Sequence, residues 1–257
     1  MSDWLSYSLT DILLFAPRTY YRLFALYNAE LWPLQLAALA AGAAIFALAV
    51  SQRPTWRGGA IAALLAAAWL FVAWAWHLQR YDGINFAGRW FALAFAIQAL
   101  LLVAIGVFRD GLRLAPRRHP AGILGMAVFV FALVIQPLIG PLVGREWASA
   151  ELFGLAPDPT AVGTLGILVA ADRMRWWLLV IPILWCAVTG LTLSTMDAPD
   201  AFVTPLAALA AIGLAVWKTV SPPGGSVRAD SGETRRTAST PRAAAAPGGR
   251  DRPGTPR

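Results

Sequence analysis

Cysteine is almost absent: the 257 residues contain one, Cys186. That excludes an internal disulfide and any cysteine-based metal cage. Cys186 lies in the apolar run IPILWCAV, where a small buried hydrophobe is the plain reading. Histidine is nearly as scarce, with only His77 and His119. Two imidazoles cannot build a three-histidine zinc site, and the topology derived below puts them on opposite faces, too far apart to share a haem. Lysine occurs once, as Lys218 at the end of the last apolar run, which excludes a retinal-type Schiff base in mid-span. Charged residues make up 14% of the chain, against about a quarter in soluble domains. Walker-type glycine loops, H-E-x-x-H and G-x-S-x-G are missing. The expectation is therefore a protein without a cofactor or metal that is not an enzyme.

Apolar residues fill the space the charges leave, at 58% of the sequence, and the charges fall in short bursts between apolar blocks. A helix needs about 20 mostly apolar residues to cross roughly 30 Å of hydrocarbon. Segments 31–50, 59–78, 90–108, 122–143 and 176–195 meet that length, and 201–217 is slightly short. Tryptophans at many of their ends, Trp32, Trp76, Trp90, Trp176, Trp177 and Trp217, suit the headgroup layer. Segment 160–171 is different. Twelve helical residues reach only about 18 Å, and Pro157 with Pro159 blocks a regular extension backwards. A broken span is expected there, for about seven in all. The acidic start, Met1 to Asp3, lacks the basic region of a secretory signal, so the first segments are expected to be retained. Residues 1–30 mix aromatics and leucines with polar groups and read as helices lying in the membrane interface.

Arginine placement tests the count. With seven crossings one side receives Arg53, Arg57, Arg109, Arg113, Arg117, Arg118, Arg173, Arg175 and the basic tail. The other receives Arg18, Arg22, Arg80, Arg89, Arg145 and most of the body's acids. Cytoplasmic loops carry the excess of Lys and Arg, which favours the N-terminus outside and the C-terminus inside. A six-span arrangement with both termini inside is the alternative. Of the net charge of +7, +5 lies from Lys218 onward, so no basic groove for nucleic acid is implied in the body. Residues 218–257 are rich in Pro, Gly, Ser and Thr with few apolar residues, and a disordered tail is expected.

The stretch PLIGPLVGREWASAELFGLAPDPT, residues 137–160, places four prolines and several charges between apolar runs. Irregular backbone at membrane depth survives only where protein or a watery cavity shelters it. Pro137 and Pro141 are expected to loosen the end of one span, and Pro157 and Pro159 to break the start of the next. Thr160 then reads as a cap on a half-helix, with Arg145, Glu146, Glu151 and Asp158 as the charges available to a site. His77 falls where the second span meets the outer surface, followed by Arg80, Asp82 and Asn85, and reads as a contact at a cavity mouth or a satisfied interfacial ring. Gln35, Gln98 and Gln136 interrupt apolar runs, where cross-helix hydrogen bonds are the ordinary role.

FAPRTYYRLFALYNAELWPLQ, WHLQRYDGIN, IQPLIGPLVG and APDPT, in that order, resemble a family of bacterial multi-pass membrane proteins known as a domain of unknown function, some of whose members are labelled permeases. The likeness runs over about residues 9–214 and is most specific at Tyr27-Asn28, Trp32-Pro33, His77 with Ile84-Asn85, and residues 137–140. It implies a membrane protein and no particular activity. Members tend to carry cysteine where this chain has Asp158, which shifts attention to Asn28, His77, Asn85 and Arg145. The combined expectation is an all-α integral membrane protein with an interfacial segment 1–30, a transmembrane domain 31–217 and a tail 218–257. It would sit in the bacterial inner membrane, with the lipid bilayer as its partner and no nucleic acid. A candidate site for a small solute would draw on Asn28, His77, Asn85, Gln136, Arg145, Asp158 and Thr160. A permease or transport accessory is one reading, and a non-transporting structural or assembly protein the other.

Overall fold

The computed structural model describes residues 16–51, 56–109, 112–114 and 119–221. The expected disordered tail, the first interfacial segment, and Arg53, Arg117 and Arg118 lie outside the described residues. Helix α1 is Pro17–Glu30 and α2 is Leu34–Val50. The two meet at 91°. Helix α3, Arg57–Phe71, widens into a π-helical turn at Val72–Leu78, and α4, Gly88–Leu102, does the same at Val103–Val107. Helix α5, Pro120–Val130, passes through a third such turn, Phe131–Ile135, into α6, Gln136–Leu142. Then come α7, Pro157–Ala170, α8, Trp176–Thr195, and α9, Val203–Val220. Among the described residues there is no strand, only one isolated bridge between Leu114 and Ala171. Five helices are long and apolar enough to cross a membrane, or six if the bent α1/α2 pair is one span.

Leucines, isoleucines and tryptophans stand exposed along most of these helices, among them Leu70, Trp74, Leu100, Ile123 and Leu209. Lipid can accept such faces at no cost. Helix α7 has none: every residue from Pro157 to Ala170 is buried. Small residues make that possible. A Cβ at Gly166 would fall 2.6 Å from the carbonyl oxygen of Gly125 and 2.6 Å from the amide of Phe129, and one at Gly163 would strike the ring of Phe153. The α5 and α7 backbones therefore touch, and the pairing of 125 with 166–170 and 129 with 163–166 runs them antiparallel.

The prolines act differently from the sequence expectation. Pro157 and Pro159 do not break a helix that starts at Thr160; they lie in the first turn of α7, with Ala156 extended before it. Proline's missing N–H would have no intrahelical partner at those positions, so the ring only presets the dihedral. Thr160 is accordingly not a cap. It sits one turn inside, donating to the Ala156 carbonyl at 2.6 Å and accepting the Gly154 amide at 2.9 Å. Pro137 and Pro141 lie within α6, directly after the π-helical turn, where neither can donate to the ladder.

Fourteen residues make α7 about 21 Å long, short of a full crossing. Both of its ends are tied down. At the α1 end, Asn28 Nδ2 donates to the carbonyls of Ala148 and Ala150, and Tyr27 Oη to that of Leu155. At the far end, the Asp172 amide bonds the Arg113 carbonyl at 2.7 Å and Lys218 reaches the last carbonyls of α7. Helix α7 thus runs from the α1 end of the bundle to its opposite end, and the connection before it, 143–156, stays at the α1 end as a series of turns with a short 3-10 helix at Trp147–Ser149. Side chains from α1 take up carbonyls of the connection at Ala148, Ala150 and Leu155.

Candidate functional site

The irregular chain that feeds α7 leaves a recess between α6, the connection 143–156, the start of α7, and the facing ends of α8 and α9. It encloses about 390 Å³, counting its open mouth, and is lined by residues that include Gln136, Arg145, Glu151, Asp158 and Asp200. Its closed inner part has room for about one or two water-sized groups.

Arg145 organises the recess. Its guanidinium pairs with Asp200, at the start of α9, and lies 3.7 Å from Glu151. It also stacks over the Tyr21 ring, 4.7 Å from its centre. Gly140 explains how the guanidinium fits against α6, because a Cβ there would come within 3.0 Å of Nε. The pair is enclosed, with side chains 14% and 9% exposed, so its charges are screened far less than those of a surface pair. Glu151 lies in the connection, and burial pushes its carboxyl well above the ordinary carboxylate range. The Asp158 charge adds to that shift, and Arg145 opposes it.

Asp158 is held by different partners. Trp185 Nε1 donates to its Oδ1 at 2.7 Å and Thr189 Oγ1 donates to the same oxygen at 2.8 Å. Both donors come from α8, one turn apart, so they reach a single acceptor. No cationic side chain pairs with Asp158 among the described residues, although it is 3% exposed. Two further acceptors in the lining are buried without a partner, Gln136 Oε1 and Asp200 Oδ1, and so is one donor, Arg145 Nε. The recess therefore carries three carboxyl groups to one guanidinium.

Residues 18–223 match a family described as Family of unknown function (DUF6064). The chain belongs to that family. No curated protein and no solved structure matches it.

In this DUF6064 chain, the structure brings together Gln136, Arg145 and Asp158 of the seven candidates drawn from the sequence. Asn28 does not line the recess; it pins the connection through Ala148 and Ala150. Asn85 is elsewhere, accepting the Ala87 amide at 2.9 Å and donating to Tyr81 Oη at 3.2 Å, which shapes the turn into α4. Thr160 is spent on local backbone. His77 is the main correction. It is not at the surface but fully buried in the π-helical turn of α3, ringed by Phe95 at 4.5 Å, Trp185 at 4.9 Å and Phe91 at 5.9 Å between centres. Neither ring nitrogen has a partner among the described residues. The wider turn rotates His77 inward, which a regular helical count does not anticipate.

Asp200, Trp185 and Tyr21 were not among the sequence candidates for the site. Asp200 gave no signal beyond being an acid near a helix start, since its role depends on α9 packing beside α6. Trp185 reads as one more apolar residue in a span. Its indole N–H becomes informative only once a buried carboxylate is found next to it.

Proposed function

We propose that this protein is a multi-pass inner-membrane protein that handles a small polar solute, as a permease or a transport accessory, without being an enzyme. The observation that carries this reading is the recess at the start of α7. Buried, hydrogen-bonding groups of both signs meet there inside an otherwise apolar bundle, at the point where an irregular connection gives way to the short, fully buried helix α7. Interrupted helices of that kind expose backbone and dipole ends that ordinary spans keep closed, and ionisable groups within a membrane are costly enough to suggest a task. The Ser149 hydroxyl in the lining donates to the Glu146 carbonyl at 2.8 Å, so it is not paired with a base as a nucleophile would be. Arginine placement supports the N-terminus outside and the C-terminus in the cytoplasm, which opens the recess to the outer side.

Native mass spectrometry of the detergent-solubilised protein, paired with solute uptake into vesicles containing it, tests this reading. Gln136→Leu removes an unpartnered buried acceptor, so it is expected to leave melting unchanged or higher while lowering ligand retention and uptake. Uptake equal to that of empty vesicles, with no retained small molecule, would sink the proposal. It would favour the second reading, a non-transporting structural or assembly protein. One observation already leans that way: the Arg145–Asp200 pair ties the 143–156 connection to α9, as a packing clamp would.

A further inference from the structure

The recess holds more acceptors than its own donors can use. Asp158 receives two hydrogen bonds, both on Oδ1, and Oδ2 has no hydrogen-bonding partner among the described residues. Gln136, at 9% exposure, leaves its Oε1 buried and unpaired, and Asp200, at 8%, does the same with Oδ1. Among the described residues, Arg145 Nε is the fully buried donor of the lining left without a partner. The fully buried ones, Gln136 Oε1, Asp200 Oδ1 and Arg145 Nε, are costly in an apolar interior unless something completes them.

Charge points the same way. Asp158, Glu151 and Asp200 share the recess with one guanidinium, and Arg145 is engaged by the last two. Asp158 has only neutral donors beside it, Trp185 and Thr189. A buried carboxylate in a bilayer-embedded bundle needs a counter-charge. Size narrows the choice, because the closed part of the recess accepts little more than a water-sized group. Among the described residues no three His, Cys, Asp or Glu side chains converge as a metal shell would require. The acceptors are instead spread over α6, α7 and the start of α9, the pattern that suits a cation reaching out with several N–H bonds.

We propose that the recess binds a small N–H-donating cation, ammonium or a short primary amine, between Asp158, Gln136 and Asp200. This deepens the solute-site reading above and rests on it for the location of the site. The cation supplies Asp158 with its counter-charge and gives Gln136 Oε1 and Asp200 Oδ1 their missing donors. Larger amines would leave their substituent toward the open mouth. Quaternary ammonium ions offer no N–H and should not bind.

The test is the melting temperature of the full-length protein in detergent, at fixed pH and fixed chloride concentration, titrated with ammonium, methylammonium, sodium, potassium or tetramethylammonium chloride. Ammonium and methylammonium are expected to raise it saturably, by about 2–5 °C at saturation, and the other three salts not to. Asp158→Asn keeps an oxygen for Trp185 and Thr189 and should abolish the shift. Gln136→Leu should raise the concentration needed about tenfold, and it provides the readout if Asp158→Asn does not fold. Equal shifts from all five salts would reduce the effect to screening and overturn the proposal. Retention of the ammonium shift in both variants would also overturn it, as would stabilisation by lower pH alone, which would leave a proton as the ligand. Ammonium binding without vesicle uptake would keep this inference and remove the transport reading. Uptake of a neutral or anionic solute without ammonium binding would do the reverse.

Discussion

Lys218 Nζ donates to the carbonyl of Val169 at 2.8 Å and to that of Ala171, so the last turn of α9 closes the C-terminus of α7. A buried helix end has no water for its final carbonyls, and the aligned peptide dipoles leave negative charge there. The only lysine in the chain meets both needs. Lys218→Met should therefore cost about 1–3 kcal/mol, read from thermal or denaturant melts in detergent. An unchanged midpoint would mean that water or another donor replaces the ammonium.

Helix α7 also depends on close backbone approach. A Cβ at Gly166 would sit 2.6 Å from backbone atoms of α5, whereas Gly213 in α9 has nothing within 4 Å. Gly166→Ala is expected to destabilise by about 1–3 kcal/mol through overpacking. Gly213→Ala should stabilise by about 0.5–1 kcal/mol through a less flexible unfolded chain. If both variants melt alike, the contact between α5 and α7 is looser than described.

The Arg145–Asp200 pair is buried enough that removing one partner strands the other. Arg145→Ala should cost about 3–5 kcal/mol, while a joint Arg145→Met, Asp200→Leu replacement should recover most of that loss. Additive losses in the double variant would show that the two side chains do not act as a pair.

Glu151 sets a pH dependence with a definite sign. Its carboxyl titrates above the ordinary value of 4.5 in the folded protein, so the native state holds a proton that the unfolded chain releases. Stability should be highest below about pH 4.5 and fall as pH rises toward the folded value, by at most about 1.4 kcal/mol per pH unit. Glu151→Gln should flatten that slope. A wild-type profile that rises with pH in this window would contradict the burial of Glu151.

Topology can be read with thiol reagents because Cys186 is buried and contributes no background. Trp147 is 70% exposed and Arg173 is also exposed, at opposite ends of the segment that includes α7. In intact cells, Trp147→Cys should react with a membrane-impermeant maleimide from outside. Arg173→Cys should react only after the membrane is opened. Labelling of both from one side would remove the interrupted crossing.

Much of the architecture was legible in sequence because it depends on composition and length. Six apolar runs became α2, the α3 and α4 spans, the α5–α6 span, α8 and α9, since an apolar stretch of that length has few alternatives to helix. The short segment was also legible as an exception, because twelve residues cannot reach across. Its starting point was not, because proline breaks a helix from the interior but starts one from the first turn, where Pro157 and Pro159 lie. Candidate-site residues on one local stretch, Gln136, Arg145 and Asp158, were recoverable from their irregular, charged context. Asp200 and Trp185 were not, because their meaning comes from helices distant in sequence.

Taken alone, the amino-acid sequence determined a helical, largely apolar bundle with a polar interruption near residues 137–160, because hydrophobic run length and proline are local properties. Tertiary structure decided which polar groups meet there, since a carboxylate becomes buried, paired or orphaned only when other helices close around it. The same packing turned His77 inward, gave Arg145 its carboxylate partner across the recess, and set Lys218 against the end of α7.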